Sequence, residues 1–582
     1  MRFRVLRRYI VPFGVVALFL TACATSPHGR NSVPDPATAS AAKSDRPGSS
    51  DVDAKTVEAH AHYTLGTIYE LDEQQDLALE EYSKAALADP GNEQLVMDLS
   101  VRYLRRKEPE KAVELLARAT ALPDASGEEF AELGLAQSRL GKDKEALESS
   151  ETAVKRAPLS LSGYRNLFLI NLQKGRAAQS LAALDRAAKQ PGTTPEFLVA
   201  VAEFYTTLAT QAPSQKDAAS AGAVEVLHRA AQANPANPQL QLRLADNLNL
   251  SGDSTNAIKT YLQLLDQYGQ LPSLREEVRA KLAELYLRGN DAQKAKEQLE
   301  GILRDDPANA TAYYFLGALA YDAKNLPEAE DDFRKSLLLK DDSAQVYYEL
   351  AEVQINLDHV KAALATLDQA RKKFQENFMG EFLTAMAYSR DKDFTNAVNH
   401  FTAAELQAKA SDPPRQLDKI FYFQVGAAHE RKGDLNEAEK YFDKALKLEP
   451  EYPEALNYLG YMLAEHGQKL DHAREMIEKA VKLSPTNAAY LDSLGWVLYK
   501  MNEPGDALPQ ELKAVELSEE PDATLFDHLG DIYAALKQTD KARESWQKSL
   551  ALEPNEDIRK KLGSEAGTVE SNSTAKPGAL KQ

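Results

Sequence analysis

The 582-residue chain holds one cysteine, Cys23. That excludes an intrachain disulfide and any zinc or iron–sulfur centre built on several thiolates. Glycine (28) and proline (27) are too few for a collagen-like or low-complexity chain. Basic residues fall short of acidic ones, 69 against 88, for a formal charge of −19. Such a chain is a poor partner for nucleic acid, whose phosphates need Lys and Arg for neutralisation. No Walker-type loop, HExxH or GxSxG is present. Ten histidines are scattered. His60 and His62 sit two apart, on different faces of a helix, and His466 and His472 flank a turn. No metal site, cofactor or enzymatic activity is expected from these patterns.

What the chain does contain begins with an address. Arg2, Arg4, Arg7 and Arg8 precede a short apolar run from Ile10 to Leu20. The run falls short of the roughly 20 residues a membrane span needs and reads as a signal peptide over residues 1–22. Leu20-Thr21-Ala22-Cys23 resembles the bacterial lipobox, which implies cleavage before Cys23 and lipidation of its sulfur. Two or three acyl chains there would anchor the protein stably, where one alone is marginal. Ala24, rather than Asp, follows the cysteine, which under the sorting rule of that class implies the outer membrane, periplasmic side. Residues 23–54 are rich in Ser, Ala, Pro and Asp, with little to bury. They are expected to be a disordered tether.

A self-similar pattern with a period of about 34 residues then runs to Pro554. One copy carries Leu65, Gly66, Tyr69, Ala78, Tyr82, Ala85 and Pro90. Others carry Tyr313, Gly317, Ala329 and Phe333, or Tyr422, Gly426, Ala438, Phe442, Ala445 and Pro450. The last has Phe526, Leu529, Gly530, Tyr533, Ala542, Trp546 and Pro554. Apolar residues at i, i+3 and i+7 mark one face of a first helix, and small–large–small at i, i+4 and i+7 one face of a second. A glycine costs about 1 kcal/mol of helix propensity, so its recurrence points to close packing. Each helix pair has a face only a neighbour can bury, so the pairs stack into a solenoid.

These residues resemble the tetratricopeptide repeat. The resemblance implies an all-α, right-handed α-solenoid of about fourteen helix pairs. We divide it into arrays over residues 55–235, 236–410 and 411–563, the last closed by a short capping helix from Glu556 to Leu562, with a disordered tail over 564–582. The stretch Thr194–Pro235 is long, with a polar insert at Ala212-Pro213-Ser214-Gln215-Lys216; this and a second insert near residues 411–415 read as longer loops or as bends. Pro509 should kink its helix if it lies inside one.

In this family the first helices line a groove. By that resemblance the groove residues are Asn457, Tyr461, Asp492, Trp496, Tyr499, Lys500, Asp527 and Asp531, with Tyr314, Tyr321, Tyr348, Phe382, Met386 and Phe423 in the middle units. Aromatics there either anchor a peptide or pack on the next repeat. Trp496 is the favoured anchor, because Leu491, Leu494 and Leu498 already fill its unit's core. Acidic neighbours favour a basic or amide-rich peptide, and with Lys500 the sole basic groove residue a carboxylate clamp is not expected. The block from Leu456 through Trp496 to Gly530 resembles bacterial tetratricopeptide lipoproteins, some of which bind a carboxyl-terminal processing protease and deliver cell-wall hydrolases to it. The resemblance implies a non-catalytic scaffold or adaptor with protein or peptide partners. An assembly factor of a polysaccharide-export or pilus secretin machine is the alternative.

Overall fold

The computed structural model describes residues 49–410 and 416–571. Among them are 29 α-helices, numbered α1 (Ser49–Leu71) to α29 (Glu556–Ser571) in chain order, and no strand. Consecutive helices form hairpins, thirteen of them packed face to face among the described residues, from α1–α2 to α5–α6 and from α9–α10 to α27–α28, with α29 as a closing helix. None of the helices is long and apolar enough to cross a membrane. The expected signal peptide, Cys23, most of the expected tether and the insert at 411–415 lie outside the described residues. The chain divides into two compact units, Met1–Ala183 and Leu184–Gln582.

Local sequence sets the helix ends. Asn309 accepts from the Ala312 amide at 3.0 Å, Asn487 from Tyr490 at 3.3 Å and Asp522 from Thr524 at 2.7 Å. Each occupies an orphan donor of the first turn. Ser126 and Glu129 form a reciprocal capping box. Within most pairs the turn needs one left-handed residue. Gly433 supplies it at φ 92°, whereas Lys324, Asn502 and Lys537 adopt φ 62° without that freedom.

The core repeats with the period. In α15 (Ala310–Asp322) Gly317 faces α16 (Leu326–Leu339), and a Cβ on it would stand 2.8 Å from the Phe333 ring. Gly426 meets Phe442 in the same way, and Gly530 meets Trp546. The recurring glycine makes room for the large side chain 16 positions later.

Two expectations change, and Pro509 is located. The stretch from Thr194 is neither a long loop nor a plain insertion. Its extra residues lengthen α9 (Pro195–Gln211) and α10 (Lys216–Gln232) to 17 residues each, joined by a 3-10 turn at Pro213–Gln215. Pro509 lies inside α26 (Pro504–Leu517), yet the helix continues through it. Being sixth in the helix, it forfeits only the bond to the Gly505 carbonyl. The closing helix α29 runs on to Ser571, well past Leu562, so residues 564–571 are helical rather than disordered.

Candidate functional site

The residues expected to line the groove all lie on first helices of pairs, and in the structure most of them link one first helix to the next. Tyr314 on α15 donates to Glu349 at 3.1 Å, and Tyr321 donates to Glu352 at 2.9 Å. Both glutamates belong to α17 (Ala344–Asn356), the first helix of the following pair. Gln345 donates to the Tyr314 hydroxyl at 2.7 Å, and Asn377 to the Tyr348 hydroxyl at 2.9 Å. Tyr348 also lines a small pocket with Arg371, Asn377, Gly380 and Glu381. Burial raises the Glu349 and Glu352 carboxyls above their ordinary range. The tyrosines remain half-buried. The middle units therefore combine both uses of an aromatic: one edge packs and the other stays open.

Phe382 stacks on Phe378 with centroids 5.6 Å apart, and Met386 packs in the same half-buried cluster. Phe423 meets Phe442, Tyr452 and Tyr458 at 5.6–5.7 Å. These three residues serve the junctions between pairs.

The C-terminal pairs differ from expectation. Trp496, on α25 (Ala488–Lys500), is 6 % exposed and is not an open anchor. Its indole lies 3.8 Å from the His528 ring in a parallel stack, and Tyr499 stacks on its other neighbourhood at 5.1 Å. Its Nε1 donates to Glu465 at 2.6 Å, and the Lys500 ammonium stands 4.7 Å over the ring. Trp496 thus ties α25 to α23 (Pro453–Glu465) and to α27 (Ala523–Ala535), so filling of its own unit's core did not leave it free. Tyr461 lies 6.3 Å from His528 and is partly buried. Asn457 is half-buried, and its Oδ1 has no hydrogen-bond partner.

Asp527 and Asp531 were expected to greet a basic peptide. They already hold Lys561 of α29, at 2.7 and 2.8 Å. Asp531 also accepts from Trp546 Nε1 at 3.1 Å. The closing helix supplies the cation because the last pair has no successor to pair with.

Asp492 is the one expected groove residue drawn into a polar centre. Its Oδ1 lies 2.6 Å from His528 Nδ1. Glu511, on α26, completes the cluster: one donor atom from each of Asp492, Glu511 and His528 lies within 4.8 Å of the others. Glu511 is fully buried, and neither carboxylate oxygen has a hydrogen-bond partner. Burial, reinforced by the charge of Asp492, pushes its carboxyl far above the ordinary range. This convergence corrects the expectation that no residues gather as metal ligands would. The signal was in the spacing: Glu511 follows Gly495 by 16 residues, as Phe333 follows Gly317. A carboxyl stands where Tyr82, Phe333, Phe442 and Trp546 stand in their own pairs. The histidines noted earlier do not converge: His62 pairs with Glu81, and His466 bonds the Met462 carbonyl.

Family models described as tetratricopeptide repeat match residues 220–272, 267–471 and 523–556. The BBSome complex member bbs-4 of Caenorhabditis elegans is 24 % identical over 171 residues, covering 28 % of this chain and 35 % of that protein. The chain thus spans about a third of the length of the curated relative it matches. Among solved structures, the APC/C hetero-tetramer Cut9-Hcn1 is 13 % identical over 89 % of this chain and 98 % of that one, with a TM-score of 0.37. A tetratricopeptide repeat protein from Parabacteroides merdae is 16 % identical over 50 % of this chain and 99 % of that one, at 0.32.

Proposed function

We propose that this tetratricopeptide-repeat solenoid is a non-catalytic scaffold that holds protein segments against the first helices of its middle units. The observation that supports the reading is the half-open row of Tyr314, Tyr321 and Tyr348 beside Glu349 and Glu352. Rigid aromatic faces bury large area at low entropic cost. The adjacent carboxyls suit a basic or amide-rich peptide. Buried Trp496 and the Lys561-paired Asp527 and Asp531 shift the binding surface away from the C-terminal pairs, toward the middle of the array.

The finer reading adds an address and a task. Lipidated Cys23 anchors the chain to the outer membrane, periplasmic side, and the scaffold delivers cell-wall hydrolases to a periplasmic protease. The test is capture from envelope extract by the full-length protein, read by mass spectrometry, beside a Tyr314→Ala/Tyr321→Ala variant. Recovery of a protease with wall hydrolases, reduced several-fold in the variant, is the expected result. Recovery of an outer-membrane barrel or a synthase instead would overturn the adaptor role and favour an export-machine assembly factor. Equal recovery by both proteins would remove the middle row as the binding surface.

A further inference from the structure

We propose that Asp492, Glu511 and His528 form a binding site for one divalent transition-metal ion of the zinc type. The argument starts from Glu511. In most other pairs with a glycine at this position the facing side chain is a ring or an aliphatic group, as with Phe333, Phe442 and Ile477, and at Gly134 it is the Ser150 hydroxyl, which is satisfied by the Ala146 carbonyl. At Gly495 it is a carboxylate, whose Oε2 would stand 2.7 Å from a Cβ placed there. A fully buried carboxyl with two unpartnered oxygens is costly unless something binds it. It is aimed at the two side chains able to share an ion with it.

Those side chains come from two further helices. Asp492 on α25 and His528 on α27 converge with Glu511 on α26, one donor atom each, within 4.8 Å. Donors around a zinc-type ion at about 2.0–2.2 Å stand roughly 3–3.5 Å apart. The separations here are bracketed by the 2.6 Å between Asp492 and His528 and that 4.8 Å limit, so modest side-chain rotation suffices. Two carboxylates and a neutral imidazole carry a formal charge of −2, which a divalent cation neutralises. Mixed oxygen and nitrogen donors favour a transition metal over Mg2+ or Ca2+, which prefer oxygen alone.

The surroundings hold the ligands in place. His528 is stacked under Trp496 at 3.8 Å, and Trp496 is fixed in turn by Glu465. Such outer contacts orient a ligating imidazole and exclude bulk water. Asp492, 9 % exposed, is the side chain nearest solvent and marks the entry path. The nearby Asp527 and Asp531 are not rivals, because Lys561 occupies them. The ion would join three helices of adjacent pairs, a structural brace rather than a reaction centre.

The test uses the full-length chain, stripped with EDTA and dialysed against Zn2+. Elemental analysis should find one equivalent retained per chain. Zinc should raise the melting temperature and alter Trp496 fluorescence, since the indole lies on a ligand. Glu511→Gln keeps shape and removes charge; it should fold by circular dichroism yet bind at least about tenfold more weakly. His528→Gln should do the same. No zinc retained by the wild type, a measurement that depends on no variant, would overturn the site. So would equal binding by Glu511→Gln, which would place the ion on other histidines.

Discussion

The pair α15–α16 and the pair α25–α26 are two solutions to one packing problem. Each sets a glycine on the first helix against a side chain 16 positions later on the second. In the first pair that side chain is Phe333, 1 % exposed, and the interior is apolar. Around the ring, Tyr314 and Tyr321 reach the next first helix, and the buried Ser336 hydroxyl is satisfied by the Ala310 carbonyl. In the second pair it is Glu511, and the polar group sits inside. Asp492 and His528 are drawn in, and Trp496 stacks over them. The difference teaches that the repeat specifies a slot and its volume, not its chemistry. In the first pair the apolar occupant leaves the first-helix tyrosines half-open. A carboxyl turns that face inward.

The largest expected effect comes from emptying the apolar slot. Phe333→Ala should cost about 3–5 kcal/mol in urea unfolding, since it opens a cavity against Gly317. A loss below about 1 kcal/mol would mean that the ring is not a core element and the comparison fails. Next comes refilling the polar slot. With EDTA present, Glu511→Met should stabilise the protein by about 1–3 kcal/mol, because it replaces an unpartnered buried carboxyl by an apolar chain of similar length. Destabilisation would reveal that the carboxyl makes a hydrogen bond that the apolar pair lacks.

The smallest effect concerns Asp332, a buried acid beside Phe333 whose carboxyl burial raises to about 6. Lys335 and Lys296 oppose that shift, while Glu328 and Asp331 add to it. Because the folded pKa lies above the unfolded one, no penalty exists below about pH 4. Stability is lost as pH rises through about 6. Asp332→Asn should therefore match the wild type at pH 4 and exceed it at pH 7.5 by about 1–2 kcal/mol, after allowance for solvent screening. Identical pH profiles for the two proteins would show the acid to be solvated, sharpening the contrast with Glu511.

Much of the fold was legible along the chain. The glycine-to-aromatic spacing, the caps and the turn residues are local, and local signals survive in one sequence. The long unit from Thr194 misled because a polar insert reads alike as loop or as extra helical turn. The longer helices are packed together along their length, with Gly222 against Tyr205 and Leu208, Ala219 and Ala223 buried. Among the groove residues, Tyr314, Tyr321 and Tyr348 lie half-buried on first helices. Trp496 does not, since its burial depends on His528, 32 positions away and on another pair.

The sequence alone determined that the chain folds into helix hairpins that pack on their neighbours, because a period of about 34 residues encodes the face each pair must bury. Tertiary structure decided which face residues stay open. It assigned Lys561 to Asp527 and Asp531, sank Trp496 between neighbours, and joined Asp492, Glu511 and His528 from three helices. The physical reason is that burial and charge pairing between repeats depend on which side chains meet across the stack, and no single repeat carries that information.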